Sequence, residues 1–262
     1  EWGGPGKTQM LKGGHFQGID VCLITHPSTH WDTSSEVLAI AWPRGEVMTF
    51  KGVASHASVA PEKGRSALDA AMLFGLAVEM IREHMLDGSR IHYCIMEGGK
   101  QPNVVPDTVK MDIYVRARDS AYLYELMDRV DKAAQAAALA TGTTVEYKWD
   151  VPWLAPVPVP TFYEFVKQAA VALGVPEADF KKPTALGSSD FGNVGYEIPT
   201  VNLDFPIAPE GTPGHSEAFM EAAPQAASLA GSVAGEGIAV LRSFGKFYGL
   251  PGGHEFPEFV ET

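Results

Sequence analysis

Residues 109–116, VKMDIYVR, decide the fold because an apolar side chain occupies every second position from Val109 to Val115. Successive side chains of a strand point to opposite faces, so this stretch predicts a strand with one buried face and one open face. Further helices and strands are predicted on both sides of it. In chain order, the predicted elements are a strand at 47–51, a helix at 65–85, strands at 90–96 and 109–116, a helix at 121–139 and a strand at 143–149. This β-α-β-β-α-β order predicts a ferredoxin-like unit.

The segments that flank this unit predict a second α/β domain, into which the unit is inserted. Residues 151–160, VPWLAPVPVP, contain four prolines and favour an extended connector, because proline continues neither a sheet nor a helix. A last helix is expected to begin at Pro224, where the missing N–H costs nothing. The other predicted elements of this domain are strands at 20–25, 37–42 and 198–203 and a helix at 162–173.

The composition excludes several kinds of partner. With 20 Lys and Arg against 32 Asp and Glu, the net charge of −12 argues against a nucleic-acid partner, because phosphate is bound mainly by Lys and Arg. The sequence has no run of about 18 apolar residues, so no membrane span is predicted. The two cysteines, Cys22 and Cys94, stand in apolar runs, and we expect buried free thiols in a reducing cytoplasm.

Two histidines stand where a metal ligand could lie. His26 follows the apolar stretch VCLIT, and the carboxyl end of a buried strand faces the crevice in which α/β sheets bind ligands. His215 lies in the turn-rich loop GTPGHS, just before a helix. Two histidines and a nearby acid could complete a zinc site. Taken alone, a loop histidine is more often only a surface residue.

Three further residues could bind a substrate, although each has a simpler structural explanation. His56 lies in GVASHAS after a strand, Asn103 lies in the loop GGKQPNVVP, and Arg116 ends the strand at 109–116. Turn formation would explain the asparagine, and a solvated sheet edge would explain the arginine. A serine hydrolase is disfavoured, because the stretch GSSDF around Ser188 does not fit the G-x-S-x-G nucleophile pattern.

An ordered set of motifs resembles the dinuclear-metal amidohydrolases, which include aminoacylases, hippurate hydrolases and carboxypeptidase G. The motifs occur in the family's order and cover nearly the whole chain. They are Glu1 with GGPGK, His26-Pro27, GVASHAS, APEKGRSALDA, GGKQPNVVPD, YVRARD, GSSDFGN and GTPGHSEAF. Three of these stretches, HPS, APEKGRSALD and GTPGHS, are most similar to the branch of the p-aminobenzoyl-glutamate hydrolase subunits.

The resemblance implies a fold and a domain organisation. We expect an α/β chain in which residues 1–45 and 159–262 form the C-terminal portion of a zinc-peptidase-like, metal-binding catalytic domain. Residues 46–158 would form the inserted ferredoxin-like lid, which also serves as the dimerisation domain. A homodimer through the lid is therefore expected, and the alternative partner is a second, homologous subunit.

The resemblance also implies the site. Glu1, His26 and His215 match metal ligands, for Zn or Mn, with two metal ions per complete subunit. His56, Asn103 and Arg116 match lid residues that hold the carbonyl and carboxylate groups of the substrate, and His56 would reach the site of the partner subunit. The substrate would be a small N-acyl or N-aroyl amino acid such as p-aminobenzoyl-glutamate, cleaved at its amide bond.

The chain departs from the family pattern at its start. The family carries an upstream His-x-Asp motif and a general-base Glu, and neither is found here, so no catalytic residue is identified and the base is expected upstream of Glu1. His30-Trp31-Asp32 matches the text of the motif but stands after His26, in the wrong order. We therefore expect a fragment, or a naturally short protein, that is inactive by itself. The alternative is a truncated, non-catalytic protein that dimerises and binds carboxylated ligands.

Overall fold

The computed structural model describes residues 6–182 and 186–222, which group into two compact units. The described part of the first unit comprises residues 6–17, 36–157 and 186–197. That of the second unit comprises residues 18–35, 158–182 and 198–222. The mixed helix and sheet content confirms the predicted α/β class. No helix within these residues is long and apolar enough to span a membrane.

The described part of the first unit contains four α-helices and five strands. The helices are α1 (Gly6–Lys12), α2 (Ala67–Glu83), α3 (Ser120–Thr141) and α5 (Phe191–Glu197), and 3₁₀ turns lie at Arg44–Glu46 and Pro61–Lys63. The strands are β2 (Ala39–Ala41), β3 (Met48–Lys51), β4 (Arg90–Glu97), β5 (Thr108–Ala117) and β6 (Thr144–Glu146). The order β3-α2-β4-β5-α3-β6 confirms the predicted ferredoxin-like unit.

Strand β5 is the centre of an antiparallel sheet. β4 pairs with β5 along one edge, from Lys110 to Arg116. The other edge is shared, because β3 pairs with the first half of β5 and β2 pairs with residues Val115–Ala117. β6 pairs with β3 on its far side. Strand β2 was expected to precede the inserted unit, yet it extends this sheet; the boundary between residues 45 and 46 stays a prediction.

The alternation along β5 builds the core of the first unit. Every second residue from Val109 to Ala117 is buried, and helices α2 and α3 pack against that face. In α2 the buried positions recur at helical spacing, from Ala67 through Ala70, Ala71 and Phe74 to Val78. The helix boundaries follow local signals, since Ser66 caps α2 and the left-handed Gly142, with φ 66°, ends α3. The open face of the sheet carries the polar residues of β5.

The second unit is built around a parallel pair of strands. β1 (Cys22–Ser28) pairs with β7 (Thr200–Pro206), and α4 (Pro160–Ala172) packs on β7; a 3₁₀ turn lies at Glu177–Asp179. The core of this unit is formed by Trp31, Phe162, Val166, Val201, Leu203 and Phe205. The helix expected from Pro224 lies outside the described residues.

Two expectations about burial are wrong. β1, the strand that carries His26, was expected to be buried, yet it is half-buried to exposed, whereas its neighbour β7 is mostly buried. Both cysteines were expected to be buried, yet Cys22 is only half-buried and Cys94 is exposed. The reason for Cys94 is that β4 has a neighbour on one edge only among the described residues, and the side chain of Cys94 lies on the open face, opposite Asp112 of β5. An apolar run therefore does not ensure burial when a strand lies at a sheet edge.

Candidate functional site

His56 and Asn103 lie side by side, because their two loops pair. Ala57 donates its backbone N–H to the carbonyl of Asn103 over 2.9 Å, and Val105 donates to Ser55 over 3.0 Å. These bonds form a short antiparallel bridge that joins His56 to Val104. Both His56 and Asn103 are at least partly exposed, so their side chains are accessible. The structure thus brings together two of the three residues predicted to bind the substrate.

The imidazole of His56 is held by Ser58. The backbone N–H of Ser58 lies 3.4 Å from Nδ1 of His56, and the hydroxyl of Ser58 lies 3.2 Å from the same atom. A backbone N–H can only donate, so Nδ1 is the accepting nitrogen. The neutral imidazole then carries its proton on Nε2, which is the nitrogen left to donate to a substrate oxygen. Sequence reasoning did not identify this role of Ser58.

Glycines fix the shape of the His56 loop. Val53 and Arg65 exchange two backbone hydrogen bonds, of 2.8 and 2.9 Å, and so close the base of the loop. A Cβ at Gly52 would lie 1.9 Å from the carbonyl oxygen of Arg65, which is closer than any real contact. A Cβ at Gly64 would lie 2.5 Å from the hydroxyl of Ser55. Glycine is therefore required where the GVASHAS motif begins.

Arg116 lies at the other end of the sheet. His56 and Asn103 belong to the end at which β3 finishes and β5 begins, at Thr108. Arg116 lies eight positions after Thr108 along an extended strand, a length of about 26 Å. A small substrate is too short to contact all three residues within one chain. The structure therefore does not bring Arg116 to the other two.

Ser188 positions the guanidinium group of Arg116. Nη1 of Arg116 donates to the hydroxyl of Ser188 over 2.9 Å, although the two residues are 72 positions apart. Partial burial lowers the pKa of Arg116, and its buried Nε has no hydrogen-bond partner among the described residues. A half-buried guanidinium with an unused donor is suited to bind an anion such as a carboxylate. In the sequence Ser188 was considered only as a nucleophile, and no local signal indicated its contact with Arg116.

In the second unit, His26 lies opposite Asp204. The two residues are register partners on β1 and β7, and Nδ1 of His26 is 3.8 Å from Oδ1 of Asp204. Asn202 donates its side-chain amide to the same carboxylate oxygen over 2.7 Å. Burial raises the pKa of Asp204, while the hydrogen bond from Asn202 and the nearby His26 oppose that change. The signal that selected His26, a polar residue at the end of an apolar strand, could also have selected Asp204.

His215 adopts a backbone conformation that is uncommon for residues other than glycine. Its φ is +58°, in the left-handed region. Ser216 follows directly and begins a helical turn, since its hydroxyl accepts the backbone N–H of Phe219 over 3.2 Å. Such strain is often found at functional positions, because the surrounding structure must enforce it.

The described residues do not form a complete metal site. Imidazole and carboxylate groups are ordinary zinc ligands, and His26 with Asp204 supplies one of each. However, within residues 6–182 and 186–222 no three His, Cys, Asp or Glu side chains lie close enough together to hold a metal ion. Glu1, the third predicted ligand, lies outside the described residues. The role of His26 and His215 as ligands stays a prediction.

Two alternative motifs have structural partners of their own. The carboxylate of Asp32, in the stretch His30-Trp31-Asp32, accepts hydrogen bonds from the backbone and hydroxyl of Ser34, at 2.9 and 2.6 Å. The buried Asp190, in the stretch GSSD, binds the backbone N–H and the ammonium group of Lys7, at 2.8 and 2.7 Å. Both carboxylates therefore have a structural role in the described residues.

Comparison with known proteins supports the resemblance. The sequence profile of the peptidase dimerisation domain of the M20 family matches residues 44–142. The chain is 36% identical over 183 residues to a subunit of p-aminobenzoyl-glutamate hydrolase of Escherichia coli (strain K12), a match that covers 68% of this chain and 37% of that protein. It is 32% identical over 232 residues to Xaa-Arg dipeptidase of Mus musculus, a match that covers 86% of this chain and 52% of that protein.

A solved structure has the same fold. The aminobenzoyl-glutamate utilization protein from Klebsiella pneumoniae superposes with a TM-score of 0.63 at 22% identity, over 82% of this chain and 55% of that chain. The chain thus spans about half, or less, of the length of these relatives. The matched domain, the curated relatives and the fold agree, and the chain belongs to the M20 peptidase family.

Proposed function

We propose that the complete protein hydrolyses the amide bond of an N-acyl or N-aroyl amino acid, of the p-aminobenzoyl-glutamate kind. The observation that carries this proposal is the pairing of His56 with Asn103 on joined loops, with Nε2 of His56 left free to donate. The relatives support amide or peptide hydrolysis, since they are named a hydrolase and a dipeptidase. The substrate itself is part of the proposal.

We assign His56 and Asn103 to the carbonyl group of the substrate. The Nε2–H of His56 would donate to the carbonyl oxygen, on which negative charge develops as the amide is attacked. The side-chain amide of Asn103 supplies further donors beside it. Arg116 would hold the carboxylate of the amino acid, because a guanidinium can bind a carboxylate through two parallel hydrogen bonds.

The separation of these residues favours a site shared between two subunits. Arg116 lies about 26 Å along β5 from the end that carries His56 and Asn103. One substrate could contact all three only if His56 and Asn103 came from the partner subunit. Since the two loops are joined by backbone hydrogen bonds, Asn103 would accompany His56 into that site.

An exposed apolar face on α2 supports dimerisation through this domain. Met72, Leu76 and Met80 follow each other at four-residue spacing and are 57%, 58% and 69% exposed. An exposed apolar stripe of this kind commonly marks a protein interface. It lies within the matched peptidase dimerisation domain, residues 44–142. We propose that a second copy of the chain covers it, while a second, homologous subunit is the alternative partner.

We propose Zn or Mn as the cofactor, with two ions per complete subunit. M20 peptidases generally depend on divalent metals. Glu1, His26 and His215 would contribute ligands, and the bound metal would supply Lewis-acid chemistry. The described residues lack a complete ligand cluster, so we assign the reaction steps only to His56, Asn103 and Arg116. We also propose a cytoplasmic location, which rests on the two free thiols.

The test uses the complete gene product, supplied with Zn²⁺ or Mn²⁺ and an N-aroyl-glutamate. We expect release of glutamate, and we expect His56→Gln and Arg116→Gln to lower kcat/KM by at least about tenfold each. Exposed His84, in the same domain, provides a matched control as His84→Gln. Absence of hydrolysis across a broad panel of acyl amino acids would exclude the proposal. If elemental analysis detected no bound metal, that result would instead favour the non-catalytic dimer that binds carboxylated ligands.

A further inference from the structure

We propose that Arg90 and Arg116 form a paired subsite that selects substrates whose amino-acid part carries a second carboxylate, as glutamate and aspartate do. This inference rests on the proposed function and adds the residue that determines specificity. Arg90 was not among the residues that the sequence singled out. It is identified by the register of the sheet.

Arg90 and Arg116 lie directly opposite each other on β4 and β5. In an antiparallel pair, opposite residues point to the same face, with Cβ atoms about 4.5–5.5 Å apart. The next pair along, Ile91 with Val115, points to the helices and is buried, so the two arginines lie on the open face of the sheet. Arg90 and Arg116 are therefore neighbours on the open face of the sheet.

The contacts of the two guanidinium groups leave their charges available. Nη1 of Arg90 donates to the carbonyl of Ser89 over 2.7 Å, and Nη1 of Arg116 donates to the hydroxyl of Ser188 over 2.9 Å. Both acceptors are oxygen atoms without a formal charge. Among the described residues, no salt bridge neutralises either arginine, even though the chain as a whole carries a net charge of −12.

This arrangement is unfavourable unless an anion is bound. Like charges opposite each other on neighbouring strands destabilise a sheet. Partial burial adds to that cost at Arg116, as the lowered pKa of its guanidinium shows. A carboxylate between the two groups would remove the repulsion, and a dicarboxylate would give each guanidinium its own partner.

A neighbouring histidine lies within the positive field of these arginines. His92 is the next open-face residue of β4, and partial burial together with the charges of Arg116, Arg82 and Arg90 lowers its pKa. Arg90 and His92 also line a groove of about 400 Å³ at the start of β4. The acidic residue on the wall of this groove is Asp87, and Arg82 on the same wall is bound to Glu79. Among the described residues that line the groove, Arg82 and Arg90 are cationic and Asp87 is the only acidic one.

Each of the two arginines is expected to bind a different carboxylate of the substrate. Arg116 would hold the α-carboxylate of the amino acid, as proposed above, and Arg90 would hold the carboxylate of its side chain. A substrate with a neutral side chain would lose the second contact, and one with an arginine side chain would be repelled. The preference would therefore differ from that implied by the name of the Xaa-Arg dipeptidase, to which the chain is also similar.

The experiment compares N-aroyl-glutamate with N-aroyl-glutamine, which has nearly the same shape and no side-chain charge. With the complete gene product, we expect glutamate to be preferred by at least about tenfold in kcat/KM, as for one charged hydrogen-bonded contact. Arg90→Gln should reduce this preference to about twofold or less by slowing only the glutamate substrate, and Arg90→Lys should retain part of it. Arg44→Gln, at an exposed position of the same unit, is the control and should change nothing.

A binding measurement separates this inference from the proposed function. Titration calorimetry of the same variants with free glutamate and free glutamine needs no turnover. Hydrolysis of many acyl amino acids with an unchanged preference in Arg90→Gln would overturn the inference and leave the proposed function standing. If no substrate were cleaved, weaker binding of glutamate by Arg90→Gln would still support the paired subsite, and equal binding would overturn it. A variant whose melting temperature falls is replaced by Arg90→Met before conclusions are drawn.

Discussion

Nη1 of Arg116 donates to the hydroxyl of Ser188 over 2.9 Å and so fixes the guanidinium at the end of β5. The hydrogen bond joins two motifs that stand far apart in the sequence, YVRARD and GSSDFGN. Ser188 therefore orients a binding group. From the sequence, Ser188 had been considered only as a nucleophile, and that role was disfavoured.

Ser188→Ala should weaken substrate binding with little effect on the chemical step. A hydrogen bond to a charged group contributes about 1.5–3 kcal/mol, so we expect KM to rise by about tenfold or more with kcat nearly constant. The kinetics of the complete gene product measure this. Ser189→Ala is the matched control, since its hydroxyl makes no hydrogen bond within the described residues. A fall in kcat with constant KM would contradict the assigned role.

Ser58→Ala should release the imidazole of His56. The two contacts to Nδ1, at 3.4 and 3.2 Å, hold the proton on Nε2, and the alanine variant loses the hydroxyl contact. We expect ¹⁵N NMR of His56 to show a mixture of tautomers and kcat to fall by about threefold to tenfold, as for one neutral hydrogen bond. Ser58→Thr should restore both values. An unchanged tautomer in Ser58→Ala would exclude Ser58 as the positioning residue.

Gly52→Ala should destabilise the first unit strongly. The added Cβ would lie 1.9 Å from the backbone carbonyl of Arg65, which cannot move without breaking the base of the His56 loop. We expect the free energy of unfolding to fall by about 2–3 kcal/mol, as for other overpacked sites. Gly187→Ala, where no atom of the described residues lies within 4 Å of the added Cβ, should change it little. Urea denaturation of both variants tests the difference.

Leu76→Asp should separate the proposed dimer. Leu76 is 58% exposed in the middle of the apolar face of α2, and a buried, unpaired carboxylate would oppose association. We expect sedimentation velocity to show monomers at concentrations where the parent protein is dimeric. Tyr124→Asp, at a 51% exposed position on α3, is the control for added charge and should remain dimeric. Dissociation by both variants would point away from α2 as the interface.

The stability should decrease in alkali because of Tyr147. Burial and the hydrogen bond to Asp131 raise the pKa of the Tyr147 phenol above its ordinary value. In the unfolded chain the phenol of Tyr147 ionises near pH 10, whereas in the folded chain it keeps its proton to higher pH. The contribution of this phenol to the free energy of unfolding is therefore complete below about pH 10 and is lost at higher pH. Urea denaturation at pH 8 and pH 10.5 should show the decrease, and Tyr147→Phe should reduce it. Tyr124→Phe, at an exposed position, should retain the alkaline decrease of the parent protein.

The elements of the first unit could be predicted because their signals are local. The alternation from Val109 to Val115 specifies one buried face of a strand, whatever that strand pairs with. Ser66 and Gly142 mark helix ends through bonds to their immediate neighbours. The order of such elements was enough to predict the ferredoxin-like unit, and the motifs were enough to indicate the dinuclear-metal amidohydrolases.

The contacts that define the site were decided by the tertiary structure. Arg116 meets Ser188, His26 meets Asp204, and Arg90 meets Arg116 only through pairing and packing of residues distant in the sequence. The exposure of Cys94 likewise follows from the position of β4 at a sheet edge. The identity of an apolar or charged residue does not tell whether that residue lies at a sheet edge or in a core. Sequence therefore determines which elements form, because their signals act over a few residues, while strand register determines which side chains meet.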